Sequence, residues 1–341
     1  MSAKVLVTGA MGCLGAWTVK HLVEAGHVPV AFDLSTNRRR LEALMDPEML
    51  AAVTFEQGDL TDGQAVREVM ERNSVERIVH LAALQVPFCR ADPVAGTRVN
   101  VEGTVHVFEA ARALGIPHLA FASSIAVYGP ASDYATDVVD DTAPKRTRTL
   151  YGVTKIANEG TARVYWHDHG ISSVALRPYT VYGVGRDQGV TSEPTVAMAA
   201  AARGEDAHIS FGGTMQLQWA SDVARQFLDA AWVPRGDGGD GTSSTGPSGG
   251  AADRAPSSGQ AADRGAFVYD LGGPLVTIDE VARIIEQVRP DVRVTVGDAR
   301  LPFPKGFDDS ALRSAASRVY ETPLEEGVRR TIERFEALAA A

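Results

Sequence analysis

The stretch Thr8-Gly9-Ala10-Met11-Gly12-Cys13-Leu14-Gly15 decides the fold. It follows the apolar run Val5-Leu6-Val7 and opens an amphipathic segment near 13–26, so strand, loop and helix come in that order. The glycines are spaced G-x-x-G-x-x-G. A turn this tight needs residues without a Cβ, so that backbone N–H groups can approach a pyrophosphate at the positive end of a helix. Gly9, Gly12, Cys13, Leu14 and Gly15 are therefore candidate cofactor residues. Eighteen residues beyond Gly15, Asp33 ends a second strand. A carboxylate there can accept hydrogen bonds from both hydroxyls of an adenosine ribose and repels a 2′-phosphate, which favours NAD over NADP. Arg38, Arg39 and Arg40 could bind such a phosphate but read instead as the solvated start of a helix. Asp59 and Leu60 follow a third strand, where a carboxylate can meet the adenine amino group.

Outward from this loop, strand-like runs at 28–32, 53–55, 78–81, 119–121 and 173–176 alternate with helix-like segments near 38–50, 62–73, 93–114 and 150–169. That alternation predicts an α/β protein with a Rossmann-type, doubly wound parallel sheet. The second half is less regular. Helices are expected near 193–203, 221–233, 277–289 and 324–339, and strands near 208–211, 216–219 and 267–271. The division predicted is a cofactor domain over 1–176 and, over 177–341, mainly a smaller α/β substrate lobe. Residues 235–265 hold nine glycines and no Val, Ile, Leu, Met or aromatic residue, and read as a flexible insertion.

The chain has 341 residues, 45% of them hydrophobic and 22% charged, as expected for a globular protein with a sizeable core. A net charge of −10 argues against nucleic acid as a partner. No run approaches the roughly 18 apolar residues of a spanning helix, and Met1–Val7 does not read as a signal peptide, so no membrane role is expected. Cys13 and Cys89 are too few for a disulfide framework and lack metal-ligand spacing. No metal is expected; His80 reads as a core histidine, and His167 and His169 as a helix end. The expectation is a cytoplasmic protein that binds something small.

The chemistry lies further along. Tyr151 and Lys155 stand four apart on a predicted helix and share a face. A lysine one turn from a tyrosine favours the phenolate, which can exchange a proton with a substrate oxygen while hydride moves at the carbon. Ser123 and Ser124 leave the carboxyl end of a strand, the edge where such sheets bind ligands, and a hydroxyl there can hold the same oxygen.

Together these motifs resemble the extended short-chain dehydrogenases/reductases grouped as NAD-dependent epimerases and dehydratases. The resemblance covers nearly the whole chain apart from 235–265. It also rests on His80-Leu81-Ala82-Ala83, Asn100-Val101-Glu102-Gly103-Thr104, Tyr151-Gly152-Val153-Thr154-Lys155, Arg177-Pro178-Tyr179-Thr180-Val181-Tyr182-Gly183 and Asp222-Val223-Ala224. It implies a catalytic set of Ser124, Tyr151 and Lys155, with Tyr151 as acid/base and Lys155 on the nicotinamide ribose. Leu81, Ala82, Ala83, Asn100, Ser123, Pro178 and Tyr179 would complete the cofactor groove. It also implies a homodimer formed through the helices near 93–114 and 150–169.

Relatives acting on nucleotide sugars carry an arginine for the diphosphate where this chain has Met215. The favoured reading is therefore net oxidation or reduction of a small sugar or sugar acid. An NDP-sugar epimerase, in which a transient keto intermediate takes the hydride back, is the alternative. A non-catalytic NAD-sensing regulator is disfavoured because the tyrosine and lysine are both present. Arg186, Gln188, Thr191 and Gln218 are the substrate candidates, beside Ser124 and Tyr151.

Overall fold

The computed structural model describes residues 2–189, 191–232 and 265–340. The segment read as a flexible insertion lies outside the described residues, Gly265 apart.

Strand β1 (Lys4–Thr8) leads into α1 (Cys13–Glu24), β2 (Val28–Asp33), the short helices α2 (Arg39–Glu42) and α3 (Pro47–Ala51), β3 (Thr54–Gln57), α4 (Gly63–Arg72) and β4 (Arg77–His80). Helices α5 (Val86–Ala91) and α6 (Pro93–Thr97), a π-helical turn (Arg98–Glu102) and α7 (Gly103–Ala113) lead to β5 (His118–Ala122). The short β6 (Val138–Val139) precedes α8 (Leu150–His169) and β7 (Ser172–Arg177). Then come β8 (Thr180–Tyr182), α9 (Glu193–Ala202), β9 (Ala207–Gly212), β10 (Thr214–Trp219) and α10 (Ala220–Trp232). The remaining elements are β11 (Ala266–Asp270), β12 (Leu275–Thr277), α11 (Ile278–Val288), β13 (Val294–Arg300), β14 (Gly306–Phe307), α12 (Ser310–Ala315) and α13 (Leu324–Ala339).

Seven strands form one sheet in the order β11-β7-β5-β4-β1-β2-β3, every neighbouring pair parallel. The expected doubly wound sheet is therefore present. Its order reverses between β1 and β4, so a crevice opens beyond Thr8 and His80. Two apolar layers sandwich the sheet, one including Val5, Val7, Leu22 and Val79, the other Leu6, Phe32, Phe108 and Phe121.

The segment expected as one helix over 38–50 is two short ones, because Pro47 cannot continue a helix while Asp46 restarts it by capping the Met49 N–H at 2.8 Å. The helix expected over 93–114 is interrupted at Arg98–Glu102. The Asn100 carbonyl there accepts from Thr104 Oγ1 and Asn158 Nδ2 at 2.7 and 2.9 Å, so side chains satisfy the widened turn. The second half does not stay apart from the first. Strand β11 pairs with β7 as the edge of the main sheet, and α10 packs on α1 and β5. Smaller sheets are built from β8, β10 and β12 and from β9 and β13, and β8 brings Thr180 and Val181 to the crevice.

The glycine loop is packed backbone against backbone. Gly9 holds φ +69°, and a Cβ on Gly15 would stand 2.1 Å from the Gly9 carbonyl oxygen and 2.7 Å from Ala10 Cα. Gly15→Ala is expected to destabilise the protein by about 1–3 kcal/mol, read as a lower melting temperature. An unchanged melting temperature would contradict the close packing of this loop.

Candidate active site

A cleft of about 660 Å³, open to solvent, runs along the carboxyl edge of the sheet. That lies within the usual span of small-ligand pockets. Gly9, Gly12, Cys13, Leu14 and Gly15 line one end. Gly12 is the N-cap of α1 and no side chain caps the helix, so its first-turn N–H groups are available to an anion. Asp33 braces this loop, its two carboxylate oxygens accepting from the Met11 and Ser35 N–H groups at 2.9 Å each. The residues present fit a dinucleotide.

At the other end stand Ser124, Tyr151 and Lys155. Thr149 caps α8 by accepting the Gly152 N–H at 3.0 Å, which starts the helix one residue before Tyr151 and turns Tyr151 and Lys155 toward the cleft. The Lys155 ammonium lies 5.5 Å from the Tyr151 ring centroid and donates to the Ala122 carbonyl at 2.6 Å. Ser124 Oγ accepts the Ala126 N–H at 3.1 Å, which fixes the oxygen and leaves its hydrogen to donate. Burial pushes the Tyr151 phenol up to about 12, against the pull of Ser124 and then Arg186. Burial likewise pushes Lys155 down to about 8. The expected lowering of the phenol by Lys155 is thus not found: burial dominates the shift, the opposing pulls come from Ser124 and Arg186, and the ammonium is aimed at a carbonyl.

Beneath the cleft lies a buried polar network. Arg177 grips Glu159 through two bonds of 2.7 Å and meets Asp270 at 3.3 Å and Tyr128 Oη at 3.0 Å. Tyr128 donates to Asp270 at 2.5 Å, and Lys145 donates to the Tyr128 oxygen at 3.1 Å. Burial, and then the Asp270 charge, raise the Tyr128 phenol far above its ordinary value, so it stays protonated. Ser123 donates to Glu159 at 2.5 Å, and its hydroxyl is therefore committed beneath the cleft that its residue lines.

Other expectations meet mixed outcomes. Leu81, Ala82, Ala83, Pro178, Tyr179, Arg186 and Thr191 line the cleft, and Arg186 Nη2 donates to Thr191 Oγ1 at 3.2 Å. Asn100 does not line it: its amide is spent on Leu84 N–H, Leu84 O and Thr154 Oγ1, bracing the 81–84 loop from behind. Gln218 is buried and its amide binds Tyr179 N–H, Leu271 O and Gly272 O, leaving nothing for a substrate. Gln188 is exposed outside the lining. Asp59 accepts the Thr61 N–H within its own turn and Leu60 packs in the core, so neither faces the cleft. Met215 is a core residue of β10. His80 is buried between Thr8 Oγ1 at 2.7 Å and Thr104 Oγ1 at 3.0 Å, and burial lowers it to about 3, so it is a neutral core histidine. Arg90, Thr147 and Thr149 line the cleft without having been foreseen; only the position of Thr149, just ahead of the Tyr151 helix, carried a signal.

The family model of the NAD dependent epimerase/dehydratase family matches residues 5–236, and the chain belongs to that family. A UDP-glucose 4-epimerase of Bos taurus is 32% identical over 255 residues, covering 69% of this chain and 72% of that protein. A UDP-glucose 4-epimerase of Streptomyces lividans is 32% identical over 197 residues, 57% of each chain, so this chain spans little more than half of that relative's length. Among solved structures, MoeE5 in complex with UDP-glucuronic acid and NAD is 27% identical, with a TM-score of 0.75 over 98% of this chain and 100% of that one. A partial consensus L-threonine 3-dehydrogenase, 21% identical, shares the fold with a TM-score of 0.78 over 98% of this chain and 99% of that one.

Asp33→Ala removes the carboxylate that would repel a 2′-phosphate, and is expected to shift the ratio of NAD to NADP affinity by about tenfold toward NADP. Equilibrium titration with both nucleotides measures it, and an unchanged ratio would remove Asp33 as the discriminating group.

Proposed function

We propose that the protein interconverts a secondary hydroxyl and a ketone on a small sugar or sugar-acid-like substrate. One observation carries the reading: Ser124, Tyr151 and Arg186 line the same cleft as the glycine loop, whereas Met215 lies in the core where a diphosphate-binding arginine was expected. When bound, NAD would supply the hydride acceptor and a positive charge. In the oxidation direction the Tyr151 phenolate takes the hydroxyl proton, Ser124 holds that oxygen, and the hydride leaves the same carbon as the C=O bond forms. Lys155 holds the cofactor ribose. Arg186 Nε has no partner among the described residues, so Arg186 and Thr191 offer donors to a carboxylate or a set of hydroxyls. Residues 177–341 mainly supply this substrate side, with α10 and β11 returning to the sheet.

A second reading, the epimerisation of a nucleotide sugar through a transient ketone, is favoured by the relatives named UDP-glucose 4-epimerase. We propose a homodimer as well, since Val94, Val153 and Val164 are exposed on α6 and α8.

Purified protein incubated with NAD and a panel of sugars, sugar acids and nucleotide sugars separates the two reactions. NADH accumulating beyond one equivalent per enzyme supports net oxidation; isomerised nucleotide sugar without NADH supports the epimerase. Tyr151→Phe is expected to abolish turnover while NAD affinity stays nearly unchanged, and full activity in that variant would sink the mechanism. Because the phenol is pushed up to about 12, little of it is ionised at neutral pH. The rate of hydroxyl oxidation is therefore expected to rise between about pH 6 and pH 9. A flat profile would show that proton transfer to Tyr151 does not limit the reaction.

A further inference from the structure

The Arg38-Arg39-Arg40 triplet, read from sequence as a solvated helix start, is occupied otherwise. Arg38 lies over the Phe55 ring, 3.5 Å from its centroid. Arg40 is the unusual member. Its guanidinium donates from Nη1 to the Met11 carbonyl at 2.9 Å, from Nε to the Gly185 carbonyl at 3.0 Å, and from Nη2 to the Asp187 carboxylate at 2.6 Å. Arg39 meets the other Asp187 oxygen at 2.5 Å. Trp17, on α1, adds a bond to the Val184 carbonyl at 3.0 Å.

The two ends of this bracket are neighbouring loops, which also meet where the Cys13 thiol approaches the Val184 carbonyl at 3.8 Å. Met11 belongs to the glycine loop, whose neighbours Gly12 and Cys13 line the cofactor end. Residues 184–187 carry Arg186, which lines the cleft together with Gly189 and Thr191. A planar guanidinium with donors in three directions suits such a bridge, and a lysine could not reproduce it. We infer that Arg40 is a positioning residue that fastens the Arg186 loop onto the glycine loop, so that loss of the Arg40–Asp187 fastening loosens the cofactor end and speeds release of a bound dinucleotide. The same contacts commit the Arg39 and Arg40 guanidinium groups. The Asp187 side chain is 33% exposed and that of Arg40 18%, so salt weakens the ionic arm while the two carbonyl bonds persist.

This inference rests on NAD in the cleft and not on which substrate is oxidised. Its test is the release rate of NADH from the full-length protein, followed by fluorescence after a chase with excess NAD. Asp187→Asn and Arg40→Met are expected to release NADH roughly 10-fold faster than wild type, with the double variant no faster than Arg40→Met. Added salt should accelerate release from wild type and leave Asp187→Asn unaffected. Arg38→Met, which spares the bracket, keeps the wild-type rate and controls for local disturbance. Release within about twofold of wild type in both bracket variants, at unchanged melting temperature, would overturn the inference while leaving the cofactor reading intact. Failure of the wild-type protein to take up NADH would sink both.

Discussion

The buried guanidinium of Arg177 is the interaction on which the catalytic side of the molecule depends. It sits at the end of β7 and joins α8 through Glu159 and the edge strand β11 through Asp270. Through Glu159 it holds Ser123, and through Asp270 and its own Nη1 it holds Tyr128. Two consecutive elements and a strand 93 residues further on thus meet at one charge. An ion pair this deep contributes less to net stability than to uniqueness: each partner strongly disfavours any arrangement in which another is left unpaired. Asp270 lies beyond the glycine-rich stretch, so the chain must return across that whole segment before the strand ends that carry the serines are braced.

Above this base, the balance at Tyr151 is set by burial. Enclosing the phenol opposes its ionisation, and enclosing Lys155 opposes its charge. The two shifts share one cause, burial, and they drive the groups' proton affinities apart. A site of this kind is responsive to any positive charge placed beside the phenol, because little solvent is there to screen it.

The cofactor end is organised differently, by backbone. The glycine loop is held by close packing of Gly9 against Gly15, by the Asp33 carboxylate on Met11 N–H, and by Arg40 on Met11 O. Loop geometry and attachment of the Arg186 segment therefore converge on Met11, whose side chain takes no part. Substituting Met11 itself would leave all of these contacts standing.

What the sequence determined by itself is the local part. The period of apolar residues, the glycine spacing, the Pro47 break in hindsight, and Tyr151 four residues before Lys155 all follow from short-range geometry, and the parallel sheet follows from their order. Only the tertiary structure decided the rest. Asn100, Gln218 and Asp59 carry polar side chains suited to ligands, but whether such a group faces a cleft or a neighbouring loop depends on which backbone groups the fold leaves unpaired, and here those groups claimed them. Arg40 went the other way: an arginine at a helix start has no sequence mark of its partners, because Gly185 and Asp187 lie about 145 residues away. Hydrogen-bond demand in a buried site is a property of the assembled molecule, and it is what sorted the polar residues of this chain into those that hold the structure and those that face its cleft.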